Sequence, residues 1–231
     1  MIEIRPAAAR GFADHGWLQS RHSFSFASYH DPEHVHFSAL RVMNEDWIAP
    51  GTGFGMHPHR DMEIITWVLE GAISHQDSIG HRSVIRPGQI QRMSAGTGIT
   101  HSEHNRESVQ THMLQIWIVP ARTGGRPSYQ EGVVDTRASS SGFCLAAAPE
   151  GQGGILSIAQ DARLWVGQLD AVQKSLLEFD PNRQIYVHLA RGHASVNGVE
   201  IAAGDALKIS GEHRLDIRSG SEAELLLFDL P

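Results

Sequence analysis

Short apolar runs, each stopped by a turn residue, set the rhythm of this chain. Residues 63–69 (Glu-Ile-Ile-Thr-Trp-Val-Leu) read as a strand that ends before Gly71. Residues 112–119 read as another, stopped by Pro120, and residues 185–189 as a third, ending before Gly192. Residues 194–196 and 199–201 flank Asn197-Gly198, the pair that suits a tight turn between twisted antiparallel strands. Residues 222–228 form a late strand, whereas residues 170–179 fit a helix or a strand equally well. Long helical periodicity is scarce. Many short strands at close spacing predict an all-β chain of sandwich or barrel type.

The rhythm repeats. The stretch that begins Pro87-Gly88 resembles the one that begins Ala203-Gly204, 116 residues later. Val68-Leu69-Glu70-Gly71 matches Leu189-Ala190-Arg191-Gly192 at an offset of 121, and the strand closed by Pro120 matches the one closed by Pro231 at 111. Three ordered matches at similar offsets predict two copies of one β unit. The join falls within the Gly/Ser/Pro-rich stretch 123–154, with residues 136–142 the most linker-like. The predicted domains are therefore residues 1–135 and 136–231.

Composition narrows the function. The chain has 231 residues, 41% of them hydrophobic, and a formal charge of −7 from 19 basic and 26 acidic residues. Such a chain can bury a real core. Without a basic run or stripe, nucleic-acid binding is a poor expectation. No signal-like N-terminus or long apolar run is present, so the expected setting is cytoplasmic and without a membrane. The single cysteine, Cys144, cannot form an internal disulfide or a Cys-rich zinc site, and is expected to be a small core residue.

Histidine is the unusual feature. Of 15 histidines, twelve lie between His15 and His112. In an extended segment alternate side chains share a face, so His57 and His59 point the same way, as do His101 and Glu103. Each pair sits beside a glycine-rich turn, Gly51-Thr52-Gly53 or Gly96-Thr97-Gly98. On neighbouring strands, three imidazoles and one carboxylate would converge, a donor set that borderline metals accept. Glu63 shares the parity of His57 and His59, so parity alone leaves it as a rival carboxylate. A His-Glu-x-x-His helix is absent, which removes the zinc-protease arrangement. His15, His22, His30, His34 and His36 are expected not to be ligands. His75, His81 and His112 are expected to face solvent or to make ordinary hydrogen bonds, and His104 to point away from His101. Phe26, Phe54, Met56, Met93 and Trp117 are candidates for an apolar pocket wall.

These residues carry a family resemblance. Gly51, His57-x-His59, Glu63 and Gly71 resemble the first cupin motif, and His101 with Asn105 resembles the end of the second. More specifically, Phe24-Ser25-Phe26-Ala27-Ser28-Tyr29-His30-Asp31-Pro32, Leu40-Arg41-Val42-Met43-Asn44-Glu45-Asp46, His57-Pro58-His59-Arg60-Asp61-Met62-Glu63-Ile64 and Met93-Ser94-Ala95-Gly96-Thr97-Gly98-Ile99-Thr100-His101-Ser102-Glu103 resemble the pirin family. The likeness is dense from about residue 12 to residue 120 and weaker beyond. It implies a bicupin, two jelly-roll-like β-barrels, with one divalent metal in the N-terminal barrel held by His57, His59, His101 and Glu103. Shifting His57 and His59 into the second copy lands near Ser175 and Leu177, which cannot replace imidazoles. By the resemblance Glu103, not Glu63, is the carboxylate ligand.

Bacterial members of this family resemble quercetin 2,3-dioxygenases. That implies O2-dependent opening of a flavonol with release of carbon monoxide and a depside, and Glu103 as ligand, as base, or as both in turn. The resemblance tilts the metal toward Fe(II), while Cu, Ni, Mn, Co and Zn share the same donor chemistry. Two other readings stand beside it. One is an iron-dependent redox sensor that binds a regulatory protein, the other a storage or structural cupin. A monomer is expected.

Overall fold

A computed structural model describes residues 1–151 and 153–231. Among them the chain forms 22 strands. These are β1 (Ile2–Arg5), β2 (Gly11–Asp14), β3 (Leu18–His22), β4 (Leu40–Ile48), β5 (Gly53–His59), β6 (Glu63–Glu70), β7 (Ile73–Asp77) and β8 (Arg82–Ile85). There follow β9 (Gln89–Ser94), β10 (Ile99–His104), β11 (Thr111–Ile118), β12 (Ser128–Val133), β13 (Phe143–Ala148), β14 (Leu156–Ser157) and β15 (Arg163–Leu169). The last are β16 (Lys174–Glu178), β17 (Gln184–Arg191), β18 (His193–Val196), β19 (Val199–Ala202), β20 (Ala206–Ser210), β21 (Arg214–Ser219) and β22 (Ala223–Leu230). Helical structure among the described residues is limited to two single 3-10 turns, Ala7–Ala9 and Thr136–Ala138.

The predicted strands are present, with ends shifted by one or two residues. The segment that pattern left open, residues 170–179, is a turn followed by β16. Asn197 and Gly198 take positive φ values of 49° and 80°, the mirror-image turn that matches strand twist.

Two compact units emerge, and they do not follow the linear division at 135/136. One unit comprises residues 11–133 and 149–160, the other residues 1–10, 134–148 and 161–231. The displaced segments have physical reasons. Strand β1 pairs with β20 from Ile2↔Ile209 to Arg5↔Ala206, so the first residues complete the C-terminal unit. Residues 149–160 are tied into the N-terminal unit, where the Ala121 N–H donates to Ala159 O at 2.7 Å and the Ser157 N–H to Gln130 Oε1 at 2.9 Å.

The repeat is visible strand by strand. The N-terminal unit has one sheet in the order β12-β9-β6-β11-β4-β3-β2 and another in the order β5-β10-β7-β8. In the C-terminal unit β20-β17-β22-β15 repeats β9-β6-β11-β4, and β16-β21-β18-β19 repeats β5-β10-β7-β8. Strand β1 beside β20 takes the place of β12 beside β9, covering what would otherwise be an open edge. Each unit is thus a cupin-type barrel of two facing sheets, and the chain is a bicupin.

The interiors differ, and that difference decides which barrel can do chemistry. The C-terminal barrel is filled by Val187, Leu189, Val196, Leu207, Leu215, Ile217 and their neighbours, with Leu177 packed against them. The positions of β16 and β21 that repeat the ligand strands are Ser175, Leu177, Leu215 and Ile217. No imidazole or carboxylate faces that core from these positions. The N-terminal barrel has an apolar cluster at one end, including Val68, Ile73, Ile85 and Met113, and another around Ile64, Met93 and Ile99. Between them a polar row crosses the larger sheet. Successive strand partners are His22, Asn44, Gln115, Thr66 and Gln91. Buried polar groups of this kind persist only when hydrogen-bonded, and this row is organised around a buried carboxylate.

Candidate metal centre

Strands β5 and β10 pair antiparallel, and their register places His101 directly opposite His57. Alternation along β5 turns His57 and His59 inward while Met56 and Pro58 face outward. The three imidazoles converge. His59 Nε2 lies 3.0 Å from His101 Nε2, and the His57 ring centroid lies 4.8 Å from that of His59 and 4.4 Å from that of His101. One nitrogen from each ring lies within 4.8 Å of the other two.

The outer nitrogens show how the rings are oriented. His57 Nδ1 donates to the Gly55 carbonyl at 2.7 Å, which leaves Nε2 as a lone pair facing the cluster. Burial, with repulsion from the neighbouring imidazoles, lowers His59 to about 4 and His101 to about 3. Both rings are therefore neutral near pH 7. Neutral imidazoles aimed at one point are poor company for each other and good ligands for a cation. The donor set fits a divalent metal ion.

Glu103 is fully buried on the inner face of β10. Gln91 Nε2 donates to its Oε1 at 2.8 Å, Gln115 Nε2 to its Oε2 at 2.7 Å, and Thr66 Oγ1 to Oε1 at 3.2 Å. The two amides, with the Thr66 hydroxyl shared between Glu103 and Gln115 Oε1 at 3.2 Å each, hold the carboxylate in place as an acceptor. One of its oxygens groups with His101 and His75 within 4.8 Å, while His57 and His59 fall in the group that shares only His101 with it. A bulge between His101 and Glu103 sets this offset against β5. Gly53 makes the bulge possible, because a Cβ there would collide with the Glu103 carbonyl oxygen.

The rival carboxylate is elsewhere. Glu63 begins β6 in the other sheet, accepts a hydrogen bond from Ser94 Oγ at 2.8 Å, and lines a different cavity with Arg92. Burial raises its pKa despite the Ser94 bond. Parity could not separate it from His57 and His59 because Asp61, at φ 49°, breaks the alternation between β5 and β6.

His57, His59, His101 and Glu103 open onto one cavity of about 480 Å³. Its apolar wall includes Trp17, Leu18, Phe26, Phe54 and Trp117. Phe26, Phe54 and Trp117 were expected there. Met56 instead is 57% exposed, and Met93 packs in the core. His112 makes an ordinary bond to Glu45 at 2.9 Å, as expected. Cys144 is half-buried rather than in the core, its thiol donating to Asp135 O at 3.0 Å.

The sequence reading missed the polar far wall. Ser20, His22, Asn44 and Asp46 line the same cavity, with His22 Nδ1 2.9 Å from Asn44 Oδ1 and Ser20 Oγ donating to Asp46. Alternation of Leu18, Ser20 and His22 was the available signal, since it turns all three inward once β3 pairs with β4.

Two cupin barrels, one filled with apolar side chains and one opened around imidazoles and a carboxylate, define a bicupin of the single-site kind. The family model described as Pirin matches residues 3–118, and that of the quercetinase C-terminal cupin domain matches residues 145–230. The chain belongs to the pirin family. A quercetin 2,3-dioxygenase of Escherichia coli K12 is 44% identical over 232 residues, covering 100% of this chain and 99% of the relative. A pirin-like protein of Caulobacter vibrioides is 43% identical, covering 99% of each. The crystal structure of a bacterial pirin from E. coli in complex with nickel(II) superposes with a TM-score of 0.94 at 44% identity, covering 100% of this chain and 99% of that one. At this full-length likeness the chain is a quercetin 2,3-dioxygenase-like enzyme.

Proposed function

We propose that this protein binds one divalent metal ion, Fe(II) in the first instance, through His57, His59, His101 and Glu103, and opens flavonols such as quercetin with O2. The observation that carries the reading is the shared cavity: three converging imidazoles and a buried carboxylate at one end, apolar walls beside them. The names of the relatives and the nickel(II) complex of the bacterial pirin support it. When bound, the ion supplies Lewis acidity toward the flavonol 3-oxygen.

The rest of the work falls to the chain. His57, His59 and His101 present converging ring nitrogens. Glu103, pinned by Gln91 and Gln115, accepts the proton of the 3-hydroxyl. Trp117 stands edge-on to His59 with ring centroids 4.9 Å apart, and Phe26 stands edge-on to Trp117 at 5.5 Å. Flat walls of this kind orient a planar ring and exclude water. Ser20, Asn44 and Asp46 offer hydrogen-bond partners to hydroxyls on the far part of the substrate. A cavity of about 480 Å³ lies inside the roughly 300–1,000 Å³ range of small-molecule sites.

Product analysis tests the reaction itself. Metal-loaded protein given quercetin and O2 should release carbon monoxide and a depside in equal amounts, read by gas detection and mass spectrometry. Consumption of quercetin without carbon monoxide would contradict ring opening by this route. If neither product nor consumption follows with any of the divalent ions bound, the redox-responsive binding protein replaces the enzyme as the leading account.

A further inference from the structure

Behind His101, on the ring edge away from His59, lies a second set of side chains that the proposed chemistry does not use. His101 Nδ1 is 3.5 Å from Nδ1 of His75, a ring wholly buried on β7. His75 Nε2 is 3.2 Å from Asp77 Oδ2. The same Asp77 oxygen meets His81 Nδ1 at 3.2 Å, while Asp77 Oδ1 accepts the backbone N–H groups of Ile79 and His81, each at 3.0 Å. Tyr129 stacks on both of these outer imidazoles, 4.7 Å from His75 and 4.9 Å from His81. Its hydroxyl lies 3.1 Å from Gln91 Oε1, the amide that holds Glu103.

One arrangement of protons satisfies this whole chain. If His101 uses Nε2 toward His57 and His59, its Nδ1 carries the proton and donates to His75 Nδ1. His75 must then carry its own proton on Nε2, where it donates to Asp77. Four donors converge on Asp77, two per oxygen, and only a carboxylate can accept all four. An amide there would have to turn its NH2 either toward His75 and His81 Nδ1 or toward the two backbone N–H groups. Each choice sets donor against donor.

We propose that His75 and Asp77 are positioning residues for the metal ligand His101. They fix its tautomer, hold its ring plane and make its Nε2 a stronger donor, with Tyr129 and His81 clamping the pair. Carboxylate partners behind ligating imidazoles act in this way. The inference rests on the metal reading above. A rival assignment makes His75 itself a ligand, since His75, His101 and Glu103 also form a compatible group. With His57 and His59 also holding an ion, that would require His101 to serve two ions through both nitrogens. His75 also spends Nε2 on Asp77 and lies against Tyr129 rather than toward the cavity.

The test compares the intact wild-type chain with Asp77→Asn, His75→Phe and His75→Gln. Nickel(II) binding is measured by calorimetry, and the cobalt(II) absorption bands are recorded at saturating metal. Wild type should bind one ion. Asp77→Asn and His75→Phe should bind it about 10–100-fold more weakly and with shifted cobalt bands. His75→Gln, which can accept from His101 and donate to Asp77, should recover most of the affinity. Asp77→Asn is nearly isosteric and His75→Phe keeps the stack on Tyr129, so variants with wild-type melting curves carry the comparison. Unchanged affinity and cobalt bands in both would overturn the inference, as would two ions in wild type falling to one in His75→Phe. A wild-type chain that binds no ion would contradict the proposed function instead.

Discussion

Replacing His101 by Ala should leave a folded protein that retains no metal after desalting and consumes no oxygen with quercetin. His101 is the one imidazole shared by every close group in the pocket, facing His57 across β5 and His59 at 3.0 Å. Its loss leaves two imidazoles on a single strand and a carboxylate offset by the bulge. The affinity loss should exceed the roughly 10–100-fold that follows removal of a partner behind a ligand. Destabilisation should stay near 1–3 kcal/mol, the usual range for one buried substitution. His104→Ala is the control. That ring sits on the same strand, lines a different groove, and its loss should leave metal content and turnover unchanged. An His101→Ala protein with full metal content and wild-type rate would remove the ligand assignment.

Glu103→Gln should separate holding the metal from using it. The carboxylate accepts from Gln91, Gln115 and Thr66, all inside the barrel. An amide at 103 sets one NH2 group against another, so Gln91 or Gln115 must turn over and abandon its bonds. A buried polar group left unpaired costs about 1–3 kcal/mol. The three imidazoles remain, so part of the metal affinity should survive. Turnover should fall further, by about 10²–10⁴-fold, because the amide cannot take the 3-hydroxyl proton. Full turnover in Glu103→Gln, with metal bound, would end the role of Glu103 as base. Equal losses of affinity and turnover would make it a ligand only.

Much of this was legible in the chain itself, for reasons that are local. The pairs 57/59 and 101/103 share a face by the period-two geometry of strands, whatever the tertiary fold. The repeat survived because glycine turns before β9 and β20, and after β6 and β17, keep their places in both copies. What stayed hidden depends on pairing across long separations. His75 and His101 are on adjacent strands, yet nothing local to His75 told that it faces inward rather than toward solvent, or that their Nδ1 atoms meet. The roles of Ser20 and His22 follow from β3 lying against β4. Strand β1 is read as part of the first domain until its pairing with β20 is known, because four residues carry no signal of their partner. Glu63 was ambiguous for a different reason: unbroken alternation would have placed it beside His57 and His59, and only a single left-handed residue, Asp61, takes it out of that register.

The most direct test of the central claim is oxygen uptake with quercetin as a function of metal occupancy. Protein stripped of metal and reloaded in steps with Fe(II) should show a rate that rises in proportion to bound ion and saturates at one per chain. The same titration on His101→Ala should stay flat. A rate independent of occupancy, or one that continues to rise beyond a single bound ion, would contradict the account.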